Sequence, residues 1–120
     1  MECWGITTLI DLYGCDVNEF KSEIGINVYI TDLIKLIDMK KFGELDLVHF
    51  GTNKKVEGYT AIQKIETSSI VCHFANQSGY ADIIIDSCKP YSSKKAVHFS
   101  KKYFSASKVK YRVIKRGIEL

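Results

Sequence analysis

The chain has 120 residues, of which 46% are hydrophobic and 26% charged, with a single proline. This composition excludes a disordered or linker-rich protein, and the length suits one domain, 1–120, built around a single core. The formal net charge of +3 is too small to mark the whole chain as a polyanion binder.

Ile6 to Tyr13 is rich in β-branched and aliphatic residues and ends at Gly14, which reads as a first strand. Asp16 to Phe20 has the composition of a turn or a helix start. From Ile26 to Phe42, Ile30, Leu33, Ile34, Ile37 and Met39 recur at helical spacing with Asp32, Lys35 and Asp38 between them, and Gly43 is the expected stop. Leu45 to Phe50 reads as a strand, Gly51 to Lys55 as a hairpin loop, and Tyr59 to Ile65 and Ser69 to Phe74 as two further strands. Asn76 to Gly79 is turn chemistry before the β-prone run Tyr80 to Asp86, which Lys89-Pro90 interrupts. Ser92 is placed to cap a helix reaching about Phe104, with Ala96, Val97, Phe99 and Tyr103 on its apolar side. Lys108 to Ile114 then alternates, with Val109, Tyr111 and Val113 on one face. The order β-α-β-β-β-β-α-β predicts an α+β fold: a two-layer sandwich of one mainly antiparallel sheet with both helices on one face.

No stretch approaches the roughly 18 uninterrupted apolar residues of a bilayer span, so no membrane partner is expected. Met1-Glu2-Cys3-Trp4 lacks the basic and apolar regions of a secretory leader. Cys3, Cys15, Cys72 and Cys88 are scattered without metal-ligand spacing. A cytoplasmic chain with reduced thiols and no metal is therefore expected. From Lys89 onward ten lysines and arginines face the single acid Glu119. With no nucleic-acid motif beside them, they read as a solvated helix face and a protected edge strand rather than a nucleic-acid surface.

The chemically informative stretch is Thr67-Ser68-Ser69-Ile70-Val71-Cys72-His73, followed by Gly79-Tyr80 and Cys88. It sets a hydroxyl, an imidazole and a thiol at defined intervals. Cys72 and His73 are strand neighbours on opposite faces, which rules out a Cys-His nucleophilic pair. Ser68 and His73 also differ in parity, so the serine must sit at a bend for the two to converge. Taken singly, Ser68 is ordinary strand-edge polarity, His73 a hydrogen-bonded structural histidine and Cys88 a small buried hydrophobe.

Together these residues resemble the self-processing segment of prokaryotic S-adenosylmethionine decarboxylases. Leu12-Tyr13-Gly14-Cys15 is similar to that family's first-strand ending. Without gaps, Ser68, His73, Gly79-Tyr80 and Ser87-Cys88 fall on its processing serine, histidine, Gly-Tyr and terminal Cys, and Thr60 falls on a serine that assists processing. The resemblance implies self-cleavage between Thr67 and Ser68, leaving a pyruvoyl cofactor derived from Ser68. It implies His73 as the base of the elimination and Cys88 as the later proton donor. The activity implied is decarboxylation of S-adenosylmethionine, or a related amine, through a Schiff base in polyamine synthesis, by a homodimer whose protomers share sites. The family's Glu before the serine is Thr67 here, its following His is Ser69, and its Trp-Pro-Glu is Ala75-Asn76-Gln77. These departures leave three readings: an altered substrate, recognition moved to residues such as Phe50, His49 or Glu66, or a decayed homologue. Thr67 joins Phe50 and Glu66 as a candidate substrate contact. The alternative function is a non-processed homologue that binds S-adenosylmethionine, as a regulatory module or a lyase-type enzyme without pyruvoyl.

Overall fold

The computed structural model describes residues 3–19 and 22–119. Its elements are β1 (Gly5–Tyr13), α1 (Glu23–Leu36), β2 (Asp46–Phe50), β3 (Gly58–Ile65), β4 (Ser68–Ala75), β5 (Tyr80–Ser87), α2 (Ser93–Tyr103) and β6 (Lys108–Arg116). The six strands form one sheet in the order β2-β3-β4-β5-β1-β6, and every neighbouring pair is antiparallel. Both helices pack on one face, giving the expected two-layer α+β sandwich. The lysine-rich β6 is an edge strand, where cationic side chains discourage pairing with another sheet.

Period-two alternation separates the faces of the sheet. Ile10, Leu12, Ile70, Cys72, Phe74, Ala81, Ile83 and Ile85 point toward the helices and are essentially fully buried. They meet Ile26, Tyr29, Ile30, Leu33 and Ile34 of α1 and Ala96 and Val97 of α2 in one core. Tyr29 lies at its centre, with its ring 4.6 Å from that of Phe104 and its hydroxyl 2.6 Å from Ser100 Oγ. Among the described residues, no helix covers the other face of the sheet.

The expected course of α1 needs correction at its end. The helix stops at Leu36, not near Phe42, and Gly43 plays no part in stopping it. Asp38 adopts the left-handed conformation (φ 57°), its N–H donates to Lys35 O, and that of Met39 donates to Ile34 O. This is a Schellman closure with aspartate in the position glycine usually takes, sealed by apolar burial of both Ile34 and Met39. The apolar spacing that continued to Met39 therefore belonged to the cap. Ser22 and Ser92 cap α1 and α2 by accepting from Gly25 N and Lys95 N. Val17 to Glu19 form a turn, and Phe20, placed by the sequence at its end, lies outside the described residues.

Candidate active site

Glu66 and Thr67 form the two-residue turn that joins β3 to β4, with Ile65 paired to Ser68 across it. A tight turn disturbs the strict alternation of side chains, and here the disturbance has a consequence. Thr67 turns toward the helices, where its hydroxyl lies 2.8 Å from Ser87 Oγ and 3.3 Å from Met39 Sδ. Ser68 sends its hydroxyl the other way, donating to Asp86 Oδ2 at 3.1 Å. Asp86 belongs to the uncovered face: in β5 it alternates with buried Ile85 and Ser87, and it stands opposite Ser69. Ser68 thus presents its oxygen to the open face despite its position in the strand.

The Thr67 carbonyl, on the peptide bond that joins it to Ser68, receives two donors from one residue. Cys88 N–H donates to it at 3.2 Å and Cys88 Sγ at 3.4 Å. Ser87 holds the neighbouring backbone through its bond from Lys89 N (3.0 Å). Gly5 of β1 passes so close that a Cβ there would lie 2.6 Å from Ser87 O and 3.1 Å from Cys88 Cα, so this approach requires glycine. A cavity of about 240 Å³ is lined by Trp4, Arg116, Gly117 and Asp86, the partner of Ser68.

His73 also lies on the open face, at the other end of β4. Register places Thr60, His73, Asp82 and Asp11 in one row across four strands. His73 Nδ1 is 2.9 Å from Asp82 Oδ1, and a carboxylate there places the ring proton on Nδ1 and leaves Nε2 as the basic nitrogen. Tyr80 donates to Asp11 at 2.7 Å, and burial, reinforced by that bond, pushes its phenol well above the usual range. A cavity of about 270 Å³ lies against His73, Asp82, Asp11 and Leu9.

The expected convergence of Ser68 and His73 therefore holds in face but not in distance. The turn brings both to the open side, yet five residues of extended strand separate them by about 17 Å. The structure brings Thr67, Ser68 and Cys88 together, with Glu66 exposed in the same turn. It sets Thr60, His73 and Phe50 apart, toward the opposite end of the sheet. His49 faces away from this row, its ring 5.0 Å from Tyr59 and its Nε2 3.6 Å from Glu57. Cys72, excluded above as a partner of His73, is fully buried, and burial drives its thiol well above the ordinary range.

Two carboxylates were not among the residues selected from sequence. Asp82 and Asp86 look like routine polar positions of an alternating strand, and only the cross-strand register shows that they meet His73 and Ser68. The Leu12-to-Cys15 and Gly79-Tyr80 motifs also meet each other: Cys15 N donates to Gly79 O at 2.9 Å, and the Tyr13 and Tyr80 rings are 5.5 Å apart. Burial pushes the Cys15 thiol up to about 11, consistent with a structural role at this junction.

A family model described as S-adenosylmethionine decarboxylase matches residues 6–117. The chain belongs to the S-adenosylmethionine decarboxylase family. A crystal structure of the adenosylmethionine decarboxylase from Aquifex aeolicus VF5 superposes with a TM-score of 0.84 over 100% of this chain and 96% of that one, at 21% identity. At that identity the likeness concerns the fold. No curated protein matched by sequence. Family membership gives Thr67, Ser68, Cys88, His73 and Thr60 a common context without assigning their roles.

Proposed function

We propose that this protein is a self-processing decarboxylase of S-adenosylmethionine, or of a related amine, that cleaves itself between Thr67 and Ser68. The observation that carries the reading is the pair of Cys88 donors on the Thr67 carbonyl. Attack by Ser68 Oγ on that carbonyl carbon converts the peptide bond to an ester and moves negative charge onto the carbonyl oxygen, where both donors already point. Removal of the Ser68 α-proton then expels the Thr67 carboxylate, and hydrolysis of the resulting dehydroalanine by water releases the residue 68 nitrogen as ammonia and leaves a pyruvoyl group. The donor set fits that group: a thiol and an N–H beside residue 68, and an open face without a helix above it. Once formed, the group supplies a ketone that acts as an electron sink when an amine substrate loses carbon dioxide. Cys88 holds a proton at Sγ next to residue 68, which suits return of that proton to the decarboxylated carbon.

The α-proton calls for a base, and His73 of the same chain lies about 17 Å along the strand. The reading therefore includes a homodimer in which two open faces meet. Ser68 and Cys88 of one protomer then work with His73 of the partner subunit, while Asp82 orients each imidazole. Thr60, level with His73, supplies a hydroxyl to the same shared site. Glu66 borders it from the turn and Phe50 from β2, while Thr67, whose side chain turns toward the helices, contributes its carbonyl. The uncovered face suits such packing, since Ile62, Val71, Ile84 and Leu9 form an apolar stripe between its two polar ends. A cytoplasmic role in polyamine synthesis completes the proposal.

Intact-mass spectrometry of freshly purified protein tests it. The expected result is two fragments, the first ending at Thr67 and the second blocked at residue 68. A single 13.6 kDa chain, indistinguishable from that of Ser68→Ala, overturns it.

One observation favours a second reading, an uncleaved homologue that binds S-adenosylmethionine or a related ligand. Asn76 is buried and donates to Glu57 Oε1 at 3.1 Å, so the segment Ala75 to Gln77 serves a turn instead of presenting an aromatic platform. That reading expects calorimetric binding of the nucleoside by an intact chain, and absence of binding ends it.

A further inference from the structure

Asp86 is the one group within hydrogen-bond reach of Ser68 Oγ that can take up its proton, among the described residues. Its two oxygens are divided. Oδ1 accepts from Thr7 Oγ1 at 2.8 Å, and Thr7 is buried on the adjacent strand. Oδ2 accepts from Ser68 Oγ at 3.1 Å. Thr7 stands opposite Asp86 in the β1–β5 register, so the anchor comes from the neighbouring strand and holds the carboxylate with its second oxygen toward Ser68. No cation forms an ion pair with Asp86 among the described residues, so its charge is not spent on a salt bridge. The alternatives are otherwise placed. The Cys88 thiol donates to Thr67 O, and His73 lies about 17 Å along the strand.

We propose that Asp86 is the base that activates Ser68 for self-cleavage, a role distinct from that of His73 and resting on the reading of Ser68 as the processing residue. Ser68 Oγ forms its bond to the Thr67 carbonyl carbon while its proton passes to Asp86 Oδ2. The carbonyl oxygen takes the negative charge under the Cys88 donors. The Thr67 C–Ser68 N bond then breaks, and the same proton goes from Asp86 to the departing nitrogen. The carboxylate is regenerated, and the step is an isomerisation of amide to ester that needs no co-reactant. Labour is divided in space: Asp86 handles the hydroxyl proton, Cys88 the oxyanion, and an imidazole the later α-proton.

The test follows cleavage of newly translated full-length chain by mass against time, for wild type, Ser68→Ala, Asp86→Asn, Asp86→Glu and Thr7→Val. Asparagine preserves shape and one acceptor but cannot take the proton, so Asp86→Asn is expected to slow cleavage about 100-fold or more. Glutamate restores a base and is expected within about tenfold of wild type. Thr7→Val keeps the carboxylate while losing its anchor, and is expected to slow cleavage far less than Asp86→Asn; a merely structural role predicts equal losses. If Asp86→Asn fails to fold by circular dichroism, Asp86→Ser serves as the base-free variant. Cleavage of wild type with the base-free variant within twofold of it overturns the role of Asp86 alone, as does an equal loss in Thr7→Val. A wild-type chain that stays intact like Ser68→Ala overturns the reading of Ser68, and this role with it.

Discussion

The covered and open faces of the sheet are made by the same strands, yet they do opposite things to their polar groups. On the covered face, burial suppresses ionisation: the Tyr29 phenol and the Cys72 thiol are both pushed well up, chiefly by desolvation. On the open face, hydroxyl, carboxylate and imidazole groups pair with one another across strands, as Ser68 with Asp86 and His73 with Asp82 do. One strand, β4, carries both behaviours residue by residue. Stability and chemistry are therefore separable by substitution, because alternation sends neighbouring side chains to different surroundings.

The largest expected effect is on the open side. Ser68→Ala is expected to abolish cleavage while leaving the thermal midpoint of the uncleaved chain nearly unchanged; a midpoint that falls by several degrees would blur the separation of faces. Next comes the covered side. Phe104→Ala empties space against Tyr29, Phe74 and Tyr103 and is expected to cost about 3–5 kcal/mol in denaturant unfolding. The chain that remains folded should cleave at the wild-type rate. A smaller effect tests the boundary between the two. Gly5→Ala puts a methyl against Ser87 O and Cys88 Cα, so it should shift the donors off Thr67 O. Cleavage is expected to slow on the order of tenfold to a hundredfold, the scale of a misplacement near 1 Å. Unchanged kinetics would mean that the Cys88 donors are dispensable.

The covered face was the more legible from sequence. Apolar spacing in Ile30, Leu33, Ile34 and Ile37, and alternation through β4 and β5, report burial directly, because burial is what produces those periods, whereas in the edge strand β6 the alternating Tyr111 and Val113 stay exposed. The end of α1 was not legible, since Asp38 fills a left-handed position that composition assigns to glycine. The site was legible only along the chain. Ser68, His73 and Cys88 stand out by spacing, whereas Asp86 and Asp82 matter through partners 18 and 9 residues away across strands. The orientation of Ser68 was hidden for a related reason. The turn at Glu66-Thr67 breaks the alternation from which parity is counted, so a residue assigned to one face delivers its hydroxyl to the other.

The smallest effect at neutral pH probes the covered face alone. Tyr29→Phe removes the hydroxyl that meets Ser100, but Ser100 Oγ still donates to Ala96 O at 2.7 Å, so no buried donor is stranded. The expected cost at pH 7 is about 0.5–1.5 kcal/mol. Alkali should reverse the order. The folded Tyr29 phenol ionises well above 10.0, so above that pH the unfolded chain releases its proton first and the folded chain holds more protons. Stability from this group is complete below pH 10.0 and declines as pH rises, by up to about 1.4 kcal/mol per unit. Phenylalanine has no such proton, so its stability falls less steeply although Cys72 continues to contribute in both chains. Urea unfolding of wild type and Tyr29→Phe, each on the Ser68→Ala background to keep the chain whole, should give curves that cross near about pH 11. Parallel curves over that range would show that the covered face does not hold the Tyr29 proton.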